Sequence, residues 1–198
     1  MSWATWAAIL LLLPIAAIAF AAWYALAVPG TAHEGPLPEA TAEERDVAAR
    51  LRTHVTAIAS VPHNIKHYAA LERSAQYIER VLEQQGYPLQ RQIFTVGDRV
   101  VRNIEATREP KIITTKTETL VLGAHYDSWE DAPGANDNGS GVAATLEVAR
   151  LLKDWKPDRM RIRFVLFVNE EPPTFARRTW AAGAMPSCSP STGSACAA

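Results

Sequence analysis

Apolar residues recur along this chain in three rhythms. From Trp3 to Val28 the apolar run is almost unbroken. Val47, Leu51, Val55 and Ile58, and then Tyr68, Leu71, Ala75, Ile78 and Leu82, return at helical spacing, which predicts two surface helices with one buried stripe each. The first starts at Thr41-Ala42-Glu43-Glu44, a capping-box pattern, and the second stops at Gly86, a residue suited to a left-handed cap. Strand-like stretches follow: LQRQIFTV, VRNIEAT and TETLVLGAHYD. GVAATLEVARLL then reads as a helix with Val142, Leu146 and Ala149 on one face, and RIRFVLFVNEE as a strongly apolar strand. Strand, helix, strand is a βαβ unit, so the last two strands are expected to be parallel, joined right-handedly, with their carboxyl ends on one edge of the sheet.

The first rhythm predicts a membrane segment. Residues 1–32 carry no charged side chain, and the run 3–28 exceeds the roughly 20 residues that cross a bilayer as a helix. A cleaved signal peptide is the rival reading, since Ala25-Leu26-Ala27 resembles a cleavage site, but a charged leading region is missing and the run is long for one. An anchor through residues 3–28 places the remainder on the periplasmic or extracellular side; cleavage would make it secreted. The expected organisation is an anchor and flank over 1–32, a globular part over 33–173 and an aperiodic tail over 174–198. With 20 basic and 21 acidic residues and a net charge of −1, nothing favours nucleic acid as a partner. Cys188 and Cys196 both lie near the end, too isolated to form a disulfide framework.

Charge matters most in HYDSWEDAPGANDNGSG, residues 125–141. His125 and Asp127 fall at the carboxyl end of one strand of the βαβ unit, and Glu170 and Glu171 at the carboxyl end of the other. Asp137 lies in the loop entering the helix between them. Ligands of open α/β sheets gather at that edge. His-x-Asp, Glu-Glu or NDNGSG alone is an ordinary strand end or turn, and His33, His54, His63 and His67 read as surface or locally bonded residues. Their joint occurrence at one edge points to a divalent metal: His125, Asp137 and Glu171 as candidate ligands, Asp127 orienting the imidazole, and Gly134, Gly139 and Gly141 letting the backbone turn around Asp137. Adjacent Glu170 and Glu171 cannot share a strand face, so one is expected to bind metal and the other to handle protons. Trp129 is placed either to line a pocket or to stand exposed in the loop.

LVLGAHYDS, PGANDNGSGVAATLEVARLL and FVLFVNEE, in this order and spacing, resemble the co-catalytic zinc aminopeptidase family, the bacterial leucyl aminopeptidase type that also includes glutamate carboxypeptidases. The resemblance runs from about Val47 to Pro173. It implies a phosphorylase/hydrolase-like α/β fold, a three-layer αβα sandwich on a mixed, largely parallel sheet, incomplete at its carboxyl end. It also implies two zinc ions bridged by one aspartate, with a peptide as substrate: His125 on the first zinc, Asp137 bridging, Glu171 on the second, Glu170 as general base and Asp127 orienting His125. The activity implied is removal of amino-terminal residues. Carboxypeptidase or glutaminyl cyclase-like chemistry stands as an alternative on the same fold, and a membrane-tethered, non-catalytic binding domain as a reading of another class.

The family pattern adds a later aspartate and a later histidine as zinc ligands, and after Glu171 this sequence has no Asp, Glu or His. The tail is small, polar and dotted with proline; codons permitted for Arg177 to Pro186, read from the third base of each, can spell the family's Glu-Asp-Met-Gly-Ser, which suggests a shifted reading frame just before Arg177, with a natural divergent tail as the alternative. With two ligands missing, the 198 residues as they stand are expected to be a poor enzyme.

Overall fold

The computed structural model describes residues 2–28, 30, 31 and 33–172, with side chains described for all of these except 4 and 7–9. The expected tail over 174–198, with Cys188, Cys196 and the stretch from Arg177, lies outside the described residues. The chain divides into two compact units, Met1–Glu39 and Ala40–Ala198.

The first unit holds helix α1, Trp3–Leu26, capped where the Ser2 hydroxyl accepts the Thr5 N–H at 3.3 Å and carrying Pro14 within it. Its apolar side chains are exposed; Leu10 is 72% and Ile18 69% accessible. Among the described residues no helix is long and apolar enough to cross a membrane. The transmembrane span expected over 3–28 is therefore not supported by the described residues, although a helix does form there.

The second unit opens with α2, Ala42–Ile58. Thr41 caps it as the sequence predicts: its hydroxyl accepts the Glu44 N–H at 3.1 Å, and its own N–H donates to the Glu44 carboxylate at 2.7 Å. Of the expected stripe only Ile58 is buried, while Val47, Leu51 and Val55 are half-buried. Helix α3, Tyr68–Gln84, buries Leu71, Ala75, Ile78 and Leu82 and is followed by Gly86 at φ +85°, the left-handed position that glycine takes without strain.

A four-stranded sheet follows: β1 (Leu89–Val96), β2 (Arg99–Arg108), β3 (Glu118–His125) and β4 (Met160–Phe167), in the spatial order β1-β2-β4-β3. Helix α4, Ser140–Leu152, links β3 to β4, and these two strands are parallel, in register from Glu118 opposite Met160 to His125 opposite Phe167. The βαβ unit is thus present as expected. The sheet is mixed but not largely parallel among the described residues, because β1–β2 and β2–β4 are both antiparallel. The physical reason lies in the connection lengths. Only Gly97 (φ +62°) and Asp98 separate β1 from β2, room for a hairpin turn and far too little for the crossover that parallel strands need.

The core joins Leu71, Ile78 and Leu82 of α3 and Val142, Leu146 and Ala149 of α4 to Ile104, Ile162, Phe164 and Leu166 of the two central strands. Each of the larger of these side chains, Ala149 excepted, contributes on the order of 1.5–3 kcal/mol by leaving water. Arg102 of β2 ties the hairpin to α3 with paired bonds to Glu72 (2.8 and 2.9 Å) and to Glu79 (2.8 and 3.0 Å), and Arg91 adds a bond to Glu79 at 2.6 Å. The core therefore holds β3 and β4 side by side with their carboxyl ends flush.

Candidate metal centre

His125 is the last residue of β3 and is 9% exposed. Its Nδ1 lies 3.1 Å from the Asp127 carbonyl oxygen. A carbonyl only accepts, so Nδ1 carries the proton in that bond, and the lone pair of the neutral imidazole resides on Nε2. Nε2 faces the Asp137 carboxylate at 3.0 Å and the Glu170 carboxylate at 3.8 Å.

Asp137 arrives from the turn Ala135–Gly139 ahead of α4, and the peptide bond from Asp137 to Asn138 is cis. Close quarters require the glycines around it. A Cβ on Gly134 (φ +66°) would stand 2.8 Å from the Asp137 carbonyl oxygen, and one on Gly141 would collide with the Asn138 amide oxygen. That oxygen accepts the Gly141 N–H at 3.1 Å, fastening the turn to the first residues of α4.

Glu170 and Glu171 lie just past β4. The parallel ladder runs one bond beyond the strand ends, from the Tyr126 N–H to the Phe167 carbonyl at 2.8 Å, and Asn169 then adopts φ +66°. Asp127, only 4% exposed, receives the two glutamates by their backbone: one carboxylate oxygen accepts the Glu170 N–H and the other the Glu171 N–H, each at 3.2 Å. The sequence reading separated the two glutamates by strand-face alternation; in the structure they occupy a turn, and Asp127 fixes both. The Asp127 carboxylate stays 3.6 Å from His125 Nδ1, so the orienting bond to the imidazole comes from its backbone carbonyl and its carboxylate braces the glutamates.

One ligand atom from each of His125, Asp137 and Glu171 lies within 4.8 Å of the other two, so the three residues read as ligands from sequence meet although they come from three separate segments. Four carboxylates crowd one imidazole. Burial, then the charge of Asp137, holds the Glu171 carboxyl above the usual glutamate range. Burial would lower the His125 pKa, but the Asp127 carboxylate, then Asp137 and Glu170, push it up to about 9. An excess of negative charge around one imidazole nitrogen is the environment that a divalent cation relieves. One nitrogen and several carboxylate oxygens suit a borderline ion such as zinc, so the residues present fit the metal.

Two neighbouring features escape the sequence. His54, expected at the surface or in local bonds, is buried between three helices, with Tyr77 Oη at 2.8 Å and Glu147 Oε1 at 3.3 Å. The turn at His63 and Asn64 docks on the loop after His125, and burial lowers the His63 imidazole pKa. No local pattern distinguishes Asn64 from an ordinary turn asparagine, because its partner Ser128 is 64 residues away. Trp129 is 42% exposed in that loop.

Comparison with known proteins supplies what geometry alone does not. Residues 103–191 match the model of Peptidase family M28. The chain is 35% identical over 122 residues to the uncharacterized protein YfbL of Escherichia coli (strain K12), covering 58% of this chain and 36% of YfbL. It is 40% identical over 91 residues to aminopeptidase YwaD of Bacillus subtilis (strain 168), covering 38% of this chain and 20% of YwaD. The matches thus span only about a third or less of these relatives. Among solved structures, a glutaminyl cyclase from an Acidobacteriales bacterium superposes with a TM-score of 0.51 at 19% identity, over 71% of this chain and 50% of that one, a likeness of fold.

Proposed function

We propose, from the match of residues 103–191 to the model of Peptidase family M28, that this protein serves zinc-dependent hydrolysis of peptides, removing residues from the amino terminus. The observation that carries the proposal is the convergence of His125, Asp137 and Glu171 with the Glu170 carboxylate 3.8 Å from His125 Nε2. His125 Nε2 and the Asp137 and Glu171 carboxylates would hold zinc, with Asp137 bridging two ions as the family resemblance implies. Bound zinc lowers the pKa of a water and polarises a carbonyl. Glu170 accepts the proton of the attacking water and returns it to the departing amine. Asp127 keeps Glu170 and Glu171 at a constant distance from the imidazole through the paired bonds to their backbone N–H groups.

Amino-acid anilides offered to this chain, and to a version continued after Glu171 by an aminopeptidase sequence, test the reading. Chelator-sensitive release by the continued version, abolished by Glu170→Gln, supports it; chelator-resistant release, or none by a folded protein, refutes it.

We further propose that α1 anchors the protein in a membrane, with the peptidase unit on the periplasmic or extracellular side. The support is a helix of 24 residues without a charge whose apolar side chains face outward. Fractionation and external protease treatment decide it. A soluble product starting near Val28 refutes the anchor.

A further inference from the structure

The turn between α2 and α3 plays no part in the roles above, yet it is locked to the loop that leaves β3. Ser128 donates its N–H to the His63 carbonyl at 3.1 Å, and its hydroxyl accepts the His63 N–H at 2.9 Å. The Asn64 side chain reaches further. Its Nδ2 donates to the carbonyls of Ser128 (2.9 Å) and Glu130 (2.6 Å), while its Oδ1 accepts the N–H groups of Lys66 (3.0 Å) and His67 (3.3 Å). Two backbone donors on one end and two carbonyls on the other fix which atom is the oxygen, and they use the amide's full bonding capacity. Asn64 is 8% exposed and Ser128 is 0% exposed.

What this amide secures is the scaffold of the metal centre. Ser128 follows Asp127, the residue that braces Glu170 and Glu171. Ser128 also stands against Gly134, where an added Cβ would meet its side chain at 2.9 Å and the Asp137 carbonyl at 2.8 Å. Glu130, whose carbonyl takes the shorter Asn64 bond, has φ +41°, a conformation that a residue with a side chain rarely holds without outside support.

We propose that Asn64 is a positioning residue for the His125, Asp137 and Glu171 centre, fixing the Ser128–Glu130 backbone and through it both Asp127 and the turn that carries Asp137. The proposal rests on the reading of that cluster as a metal site. Two variants of the full chain separate its halves. Asn64→Ala removes all four bonds; Asn64→Asp keeps the acceptor for Lys66 and His67 but sets an oxygen against the two carbonyls. Zinc affinity is read by competition with a chromophoric chelator, and amide hydrogen exchange is read on the metal-free chain. Both variants are expected to bind zinc roughly 10–100-fold more weakly, the usual effect of removing support behind a ligand. Amides over 126–139 should exchange faster while those of α3, β2 and β4 keep their protection. His67→Ala, which removes only the exposed partner of Asp131, should leave both readouts at the wild-type level. Wild-type affinity in Asn64→Asp, protection lost throughout the chain, or an equal loss in His67→Ala would overturn the proposal. Wild-type chain that takes up no zinc would overturn the metal reading itself, and this proposal with it.

Discussion

At the scale of single residues, Asp127 shows how one side chain serves two neighbours. Its carbonyl orients His125 while its carboxylate receives two backbone N–H groups, one on each oxygen. Asp127→Asn keeps one acceptor and turns the other into a donor facing an N–H group, so the glutamate turn loses half of its support. Zinc affinity, measured by chelator competition, should fall about 10–100-fold. Glu170→Gln behaves differently, because Glu170 is assigned to proton transfer rather than to metal: zinc affinity should stay within about threefold of wild type, while anilide hydrolysis by the continued version drops by about 10²–10⁴. A comparable loss of zinc in Glu170→Gln would move that residue among the ligands. His125, Asp137 and Glu171 were legible because parallel β3 and β4 must end on one edge, and a spacing argument then brings their loops together. The division of labour within Asp127 was not legible, since it depends on where β3 stops: the strand ends at His125, so alternation no longer governs the residue two positions on.

At the scale of elements, all four strands and the three helices of the second unit fall where periodicity places them, and the capping box at Thr41 forms as written. Packing partners were the part that local pattern could not supply. The α2 stripe shows it: Val47, Leu51 and Val55 have helical spacing but remain half-buried, while His54, on the same helix, is buried against Tyr77 and Glu147. The attachment of α3 to the β1–β2 hairpin leads to a measurable consequence. Burial alone would raise the Glu79 pKa, but bonds from Arg102 and then Arg91 outweigh it and hold the carboxyl below its ordinary value of 4.5. A depressed carboxylate stabilises the fold fully above its unfolded pKa and loses that contribution as pH falls through the folded value. Glu79→Gln should therefore cost about 1–3 kcal/mol at pH 7, the usual cost of leaving a largely buried charged group short of its partner. Urea unfolding at pH 7 and again below pH 4 should show the gap between variant and wild type narrowing in acid. A gap independent of pH would mean that Glu79 acts through packing rather than charge.

At the scale of the whole molecule, the described residues of the second unit form an α/β unit whose candidate site lies at one edge of the sheet. The family match extends to residue 191, into the tail that periodicity sets apart from residue 174. Composition could mark that tail as aperiodic but could not say which elements succeed β4, because its small, polar and proline-dotted stretch carries no periodic pattern. Among the described residues the candidate metal centre brings together the His125 imidazole at the end of β3, the Asp137 carboxylate from the turn before α4 and the Glu171 carboxylate from just past β4. The measurement that meets the metal reading head-on is X-ray absorption at the zinc edge on the purified 198-residue chain, with His125→Ala and Glu171→Gln beside it. Zinc with one nitrogen donor among oxygens at about 2.0–2.2 Å is the predicted result, with loss of that signal in both variants. Zinc held through sulfur of Cys188 or Cys196, or uptake undiminished in His125→Ala, would contradict it.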